Sequence, residues 1–346
     1  MFFYKLFWYN RIMNLSLVEK SILATVLYYD VLNRPLTGFE IFKYLINPVH
    51  IFSLSGGSDI EPVPDLSLFD VLSLLEGPGL SRYINQRNGF FGLKERVDDL
   101  VDIRIKRQKI SEYKWKKARR VVFWMQAVPF IRMIAVSGSV AKNNAREESD
   151  IDLFVVVRKG RIWMVRFFLA LFLHVLGKRR HGKKSANRFC LNHFVTDSSL
   201  RVNYPSLYTA QLYAFLTPLF DRGGVLADFF RENDWLGRYL YSSNFVVSDQ
   251  RKVNNRVMVF FAKIQEFVLG GFLGNWLERL FRFFEKKYQG SPVGGYGRIV
   301  VDDNSLEFHP NSPEKKILDK YNESVLRLGL DIHPEKNSGL FKIREV

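Results

Sequence analysis

Apolar residues in the first part of the chain return at helical spacing in three runs. Each run opens on a hydroxyl residue with an acid three positions on: Ser16 with Glu19, Thr37 with Glu40, and Ser67 with Asp70. That is the form of a capping box, in which the hydroxyl caps the helix and the acid reaches back to the cap's own amide. The first run, LVEKSILATVLYYDVLN, places Ile22, Val26, Leu27 and Tyr29 at helical intervals. TGFEIFKYLIN follows, then PVHIFSLSGGSDIEPVP, which reads as a loop, then the helix SLFDVLSLLEG. Beyond it the period changes. LSRYINQRNGFFGL predicts strand, Asn-Gly turn, strand.

Residues 95–128 form a helical stretch with Arg104, Lys106, Arg107, Lys109, Lys114, Lys116, Lys117, Arg119 and Arg120 on several faces, interleaved with Tyr113 and Trp115. It reads equally as a solvated linker or as a phosphate-contacting helix. Pro129 closes it. MIAVSGS then predicts a buried strand, VAKNNA a short helix, DIDLFVVV a second strand, residues 161–176 a helix, and RFCLNHFV a third strand. This order is α/β. After Asp197 the pattern turns helical over 207–219, 225–240 and 257–284. GRIVVDDNSLEFHP reads as a hairpin about residues 302–304, and a last helix has Pro313 in its first turn.

Three short helices and a hairpin resemble a winged-helix domain over roughly residues 15–95. In that family the third helix enters the DNA major groove and the wing touches the backbone. Here the loop before the third helix is long, and SLFDVLSLLEG contains no Arg or Lys. Packing or dimerisation is as good a role for it as DNA recognition.

Composition narrows the class. At 346 residues, 47% hydrophobic and 25% charged, the chain has the make-up of a folded protein of more than one domain. A net charge of +16 favours polyanionic partners. The lone Cys190 excludes an internal disulfide and a Cys-based zinc site, and fits a reducing cytoplasm. The amino-terminal MFFYKLFWYNRIMN has Lys5 within its apolar run and no small-residue cleavage site, unlike a signal peptide. Residues 162–177 are short for a span and carry Arg166 and His174, so a buried core helix is expected. The later aromatic stretch at 257–284 reads as amphipathic, packing or lying on a surface.

The chemistry concentrates in IAVSGSVAKNNAREESDIDLFVVV. Residues two apart on a strand share a face, so Asp150 and Asp152 aim both carboxylates at one place. Such a pair calls for a cation, and clustered oxygen donors suit Mg²⁺ together with substrate phosphates. Gly138 permits a tight turn where the first strand ends, and Ser139 begins a short helix whose first amides point outward, a seat for polyphosphate.

This stretch resembles the DNA polymerase β-like nucleotidyltransferases, whose signature is a hydrophobic strand ending Gly-Ser, a gap of about ten residues, and Asp-x-Asp in a second strand. Here Gly138-Ser139 and Asp150-Ile151-Asp152 are separated by Val140 to Ser149, and the likeness covers residues 131–197. The resemblance implies an α/β nucleotidyltransferase-like core over residues 129–200. A winged-helix-like domain (1–97) and a basic connecting helix (98–128) precede it, and a mainly helical region (201–346) follows. It also implies Mg²⁺ on Asp150 and Asp152, and a nucleoside triphosphate, ATP being the expected one, held by Gly138, Ser139 and Lys142. Its acceptor is nucleic acid (DNA or RNA) or a protein hydroxyl, and the protein is expected to be cytoplasmic without a membrane span. Family members add a third acid from the next strand. Asn192 is the candidate for that place, Asp197 lies at the strand's end, and His193 is expected to face away from Asn192. The alternative reading is a nucleotide- or DNA-binding regulator with a catalytically degenerate domain.

Overall fold

All three hydroxyl–acid pairs cap helices as the pattern predicts: Ser16 and Glu19 before α1 (Leu17–Val31), Thr37 and Glu40 before α2 (Gly38–Lys43), and Ser67 and Asp70 before α4 (Leu68–Glu76). Each reciprocal pair satisfies two amides that the helix itself leaves without acceptors, a contribution of about 1 kcal/mol per cap. The computed structural model describes residues 15–55, 65–180, 185–242, 249–288 and 297–338. The apolar run at residues 1–14 and the back half of the expected loop, residues 56–64, lie outside them.

The front half of that expected loop is a helix, α3 (Pro48–Leu54). Asn47 caps it and Pro48 takes the first helical position, where its missing N–H costs nothing. The Asn-Gly hairpin joins β2 (Ile84–Arg87) to β3 (Phe90–Leu93), with Asn88 and Gly89 both at positive φ, as a tight primed turn requires. β1 (Leu36–Thr37) adds to β3, giving a three-stranded sheet in the order β1-β3-β2.

The cationic stretch is α5 (Val97–Met125). After it comes the main sheet, of six strands. β4 (Ile131–Val136) and β5 (Ile151–Val157) are antiparallel, with the short helix α6 (Gly138–Ala141) between them. β5 and β6 (Phe189–Thr196) are parallel and connected through α7 (Ile162–Val175). The α/β core is therefore present, but the region after residue 200 is not only helical. α8 (Leu207–Tyr213) is followed by β7 (Thr217–Asp221), which pairs with β4 at one edge. β8 (Arg298–Val301) and β9 (Ser305–His309) form the expected hairpin about residues 302–304 and extend the other edge beside β6. Pro218 is tolerated because β7 is an edge strand.

One sheet face packs on α7, where Arg166 lies against the rings of Phe194 and Phe308. On the other face, Phe154 and His193 meet Tyr213 of α8 and Phe229 of α9 (Val225–Glu232). α10 (Leu236–Tyr239), the helix pair α11 (Arg256–Val268) and α12 (Phe272–Tyr288), and α13 (Glu314–Leu328) complete the described elements. The first turns of α7 are buried as expected of a core helix, although Val175 near its end is 75% exposed.

Candidate active site

The site lies where β4 ends and β5 begins. The Ser137 amide donates to the Asp152 carbonyl, so the ladder runs to the last residue before the turn. Gly138 then adopts φ +65. A Cβ on Gly138 would lie 2.5 Å from Asp152 Oδ2, so only glycine lets the turn sit against this carboxylate. Ser139 follows, half-buried, in the first turn of α6, where amides have no helical acceptor.

Asp150 and Asp152 are half-buried and, with Cys190 Sγ, present ligand atoms within 4.8 Å of one another. Burial and then the charge of Asp150 push Asp152 up to about 7, against weaker opposing pulls from Arg180 and Asn192. The positive partner of the pair is Arg180, whose guanidinium donates to Asp150 Oδ2 at 2.6 Å and contacts Cys190 Sγ at 3.6 Å. Burial, followed by the two aspartates, pushes the Cys190 thiol up to about 12, so it stays protonated. Sequence reasoning did not find Arg180, and it took Cys190 only as a lone cysteine, not as a neighbour of the aspartates. No local spacing signals Cys190: it stands level with Asp152 only through the pairing of β6 with β5. Residues 181–184, next after Arg180, lie outside the described residues.

The register of β6 decides which of its residues reach the site. Asp152 pairs with Cys190 and Phe154 with His193, so Leu153 stands opposite both Leu191 and Asn192, a β-bulge. Asn192 comes to the site, its amide nitrogen 3.5 Å from Asp152 Oδ1 and 3.2 Å from His309 Nδ1. The extra residue also brings His193 onto the face of Asp152 and Phe154, where a regular strand would turn it away. Its ring lies edge-on to Phe154 at 4.7 Å. Asp197 takes no part: it accepts from the Lys159 amide and pairs with Arg132 at the opposite end of β6.

Lys142 is also placed differently from the expectation. Its side chain is buried near the rings of Tyr208 and Phe215, and burial together with Arg34 pushes it down to about 7. Its carbonyl is what serves the site, accepting from Arg34 and Arg104. The cations of α5 hold the whole loop between Gly-Ser and Asp-x-Asp. Arg104 reaches the Asn143 carbonyl, Arg107 the Asn144 side chain, and Lys114 the carbonyls of Glu147 and Ser149. The Arg104 and Arg34 guanidiniums share Glu40 as their acid.

His193, Glu307 and His309 form a second cluster with metal-ligand chemistry. Arg298 lies 3.8 Å from Glu307 Oε2, and Tyr204 donates to Oε1 at 2.7 Å. Glu307 is thus already engaged by Arg298 and Tyr204, and His309 Nδ1 contacts the amide nitrogen of Asn192. Burial pushes His193 down to about 3 and His309 down to about 4, so both are neutral at pH 7.

A strand ending in Gly-Ser over a paired carboxylate defines a class of site, and family comparison agrees. Residues 116–185 match the family model described as a nucleotidyltransferase domain. The match runs from the second half of α5 through α7 and stops before β6, and it supports generic nucleotidyl transfer. No curated protein and no solved structure matches the chain.

Proposed function

We propose that the protein transfers a nucleotidyl group from a nucleoside triphosphate, ATP being the expected one, to an acceptor hydroxyl, with Asp150 and Asp152 as metal-binding and catalytic residues. The acceptor oxygen bonds to the α-phosphorus as the bond to pyrophosphate breaks. The observation that carries this reading is how closely the Gly138 turn packs on Asp152: a Cβ there would fall 2.5 Å from Asp152 Oδ2, so turn and paired carboxylates share one place. The donor set fits Mg²⁺: two carboxylate side chains are hard oxygen donors, and the protonated thiol of Cys190 leaves them to act alone. When bound, the ion supplies positive charge between carboxylates and triphosphate. Gly138 and Ser139 would seat the phosphates, Asn192 would orient Asp152, and Arg180 would add a cation beside them. With a net charge of +16, nucleic acid is the acceptor class we favour over a protein hydroxyl.

The test is incubation with labelled triphosphate and Mg²⁺, with and without RNA. Asp150→Ala and Asp152→Ala should each lower transfer about a hundredfold or more; undiminished labelling in either variant would refute the assignment.

A second reading, a regulator that binds nucleotide without turning it over, is favoured by the two residues of β6 that face Asp152. Cys190 and Asn192 stand there, and neither is a carboxylate. Calorimetric uptake of triphosphate by a chain that transfers no label would select it. In both readings the amino-terminal unit is winged-helix-like and serves packing. Its helix α4, the one before the hairpin, carries no cation, and Arg87 beside the hairpin tip is tied to Asp102 of α5.

A further inference from the structure

α11 and α12 present a large apolar surface to solvent. Along α11, Val257, Phe260, Phe261, Ile264, Phe267 and Val268 are exposed; along α12, Phe272, Leu273, Trp276, Phe283 and Phe284. The most exposed rings, Phe267 at 90% and Phe272 at 87%, flank the corner where the helices meet at 96°. The corner is built in: a Cβ on Gly274 would fall 1.7 Å from the Leu269 carbonyl oxygen. Isolated exposed apolar residues need no explanation, but a continuous face of this extent does.

Charge on the two helices is segregated. The three described acids turn inward: Glu266 accepts from the Phe130 amide and Arg222, Glu278 from the amides of Trp163 and Met164, and Glu285 pairs with Arg166. Among the described residues of the two helices the exposed charges, Arg256, Lys263, Arg279 and Arg282, are all positive, and Arg282 pairs with Asp303 of the β8–β9 turn. The anchored acids keep both helices on the domain, and among the described residues no single helix is long and apolar enough to cross a bilayer. An apolar stripe whose own helices expose Arg256, Lys263 and Arg279 and turn their described acids inward complements an interface that is apolar inside and anionic at its rim.

We infer that this corner docks the protein on an anionic lipid bilayer, Phe267 and Phe272 entering the acyl boundary and the cations meeting headgroup phosphates. The inference is independent of the proposed chemistry, because lipid binding is read without nucleotide. The full chain is floated with vesicles of phosphatidylcholine alone or mixed with phosphatidylglycerol. Binding should require the anionic lipid and weaken with salt, by about fivefold for each of Arg256, Lys263 and Arg279 changed to Gln. The double change Phe267→Asp and Phe272→Asp should lower partitioning about a hundredfold or more, with far-ultraviolet circular dichroism unchanged. Wild-type protein that stays unbound to anionic vesicles overturns the inference. So does light scattering that shows a stable dimer dissociated by the same double change, since a second copy would then cover the face.

Discussion

At Gly138 two requirements coincide: a backbone at φ +65 and a gap that a carboxylate oxygen fills. Gly138→Ala therefore forces either the turn or Asp152 to move. We expect about 1–2 kcal/mol of destabilisation, measured by chemical denaturation, together with loss of triphosphate binding by calorimetry. Asp152 carries its own pH signature. Its native value of about 7 lies above the ordinary carboxylate range, so the native state takes up a proton that the unfolded chain does not hold at the same pH. Stability from this group is present below about pH 4 and is lost as pH rises towards 7. Asp152→Asn should accordingly stabilise the protein above pH 7 and change little at pH 4, as read from thermal melts. Mg²⁺ competes with the same proton, so its affinity should fall as pH drops through about 7, and an affinity indifferent to pH would contradict the assignment of Asp152 as a ligand. The paired aspartates and the glycine were legible in the sequence because their spacing is local. Arg180 and Cys190 were not, since the pairing of two strands distant in the chain brings them in.

Among the elements, α5 divides its cations between two roles. Lys106, Lys109, Lys116, Arg119 and Arg120 are exposed, as a solvated helix has them, whereas Arg104 and Lys114 are buried and donate to carbonyls of the site loop. Arg104→Met leaves Glu40 with one cation fewer and two carbonyls without this donor. We expect a loss of about 3 kcal/mol and faster hydrogen exchange over residues 142–149 than over β5, by mass spectrometry. The capping boxes and the Asn-Gly hairpin were readable because each is complete within a few residues. β7 was not. Its five residues follow directly on a helical run, include Pro218, and become a strand only through pairing with β4. The bulge in β6 was equally hidden, because a register is a property of two strands, and it reverses the face on which His193 falls.

For the molecule as a whole, the order β7-β4-β5-β6-β9-β8 means that the strands bearing the motif are interior and their neighbours come from late in the chain. The segment that matches a nucleotidyltransferase domain, residues 116–185, contains β4 and β5 alone. Cutting the gene to residues 129–200, as the motif invites, would strip one flank of β4 and one flank of β6 and leave two rows of unpaired amides and carbonyls open to neighbouring copies. Such a fragment should precipitate on expression, while the longer chain, whose own tail covers both flanks, stays dispersed.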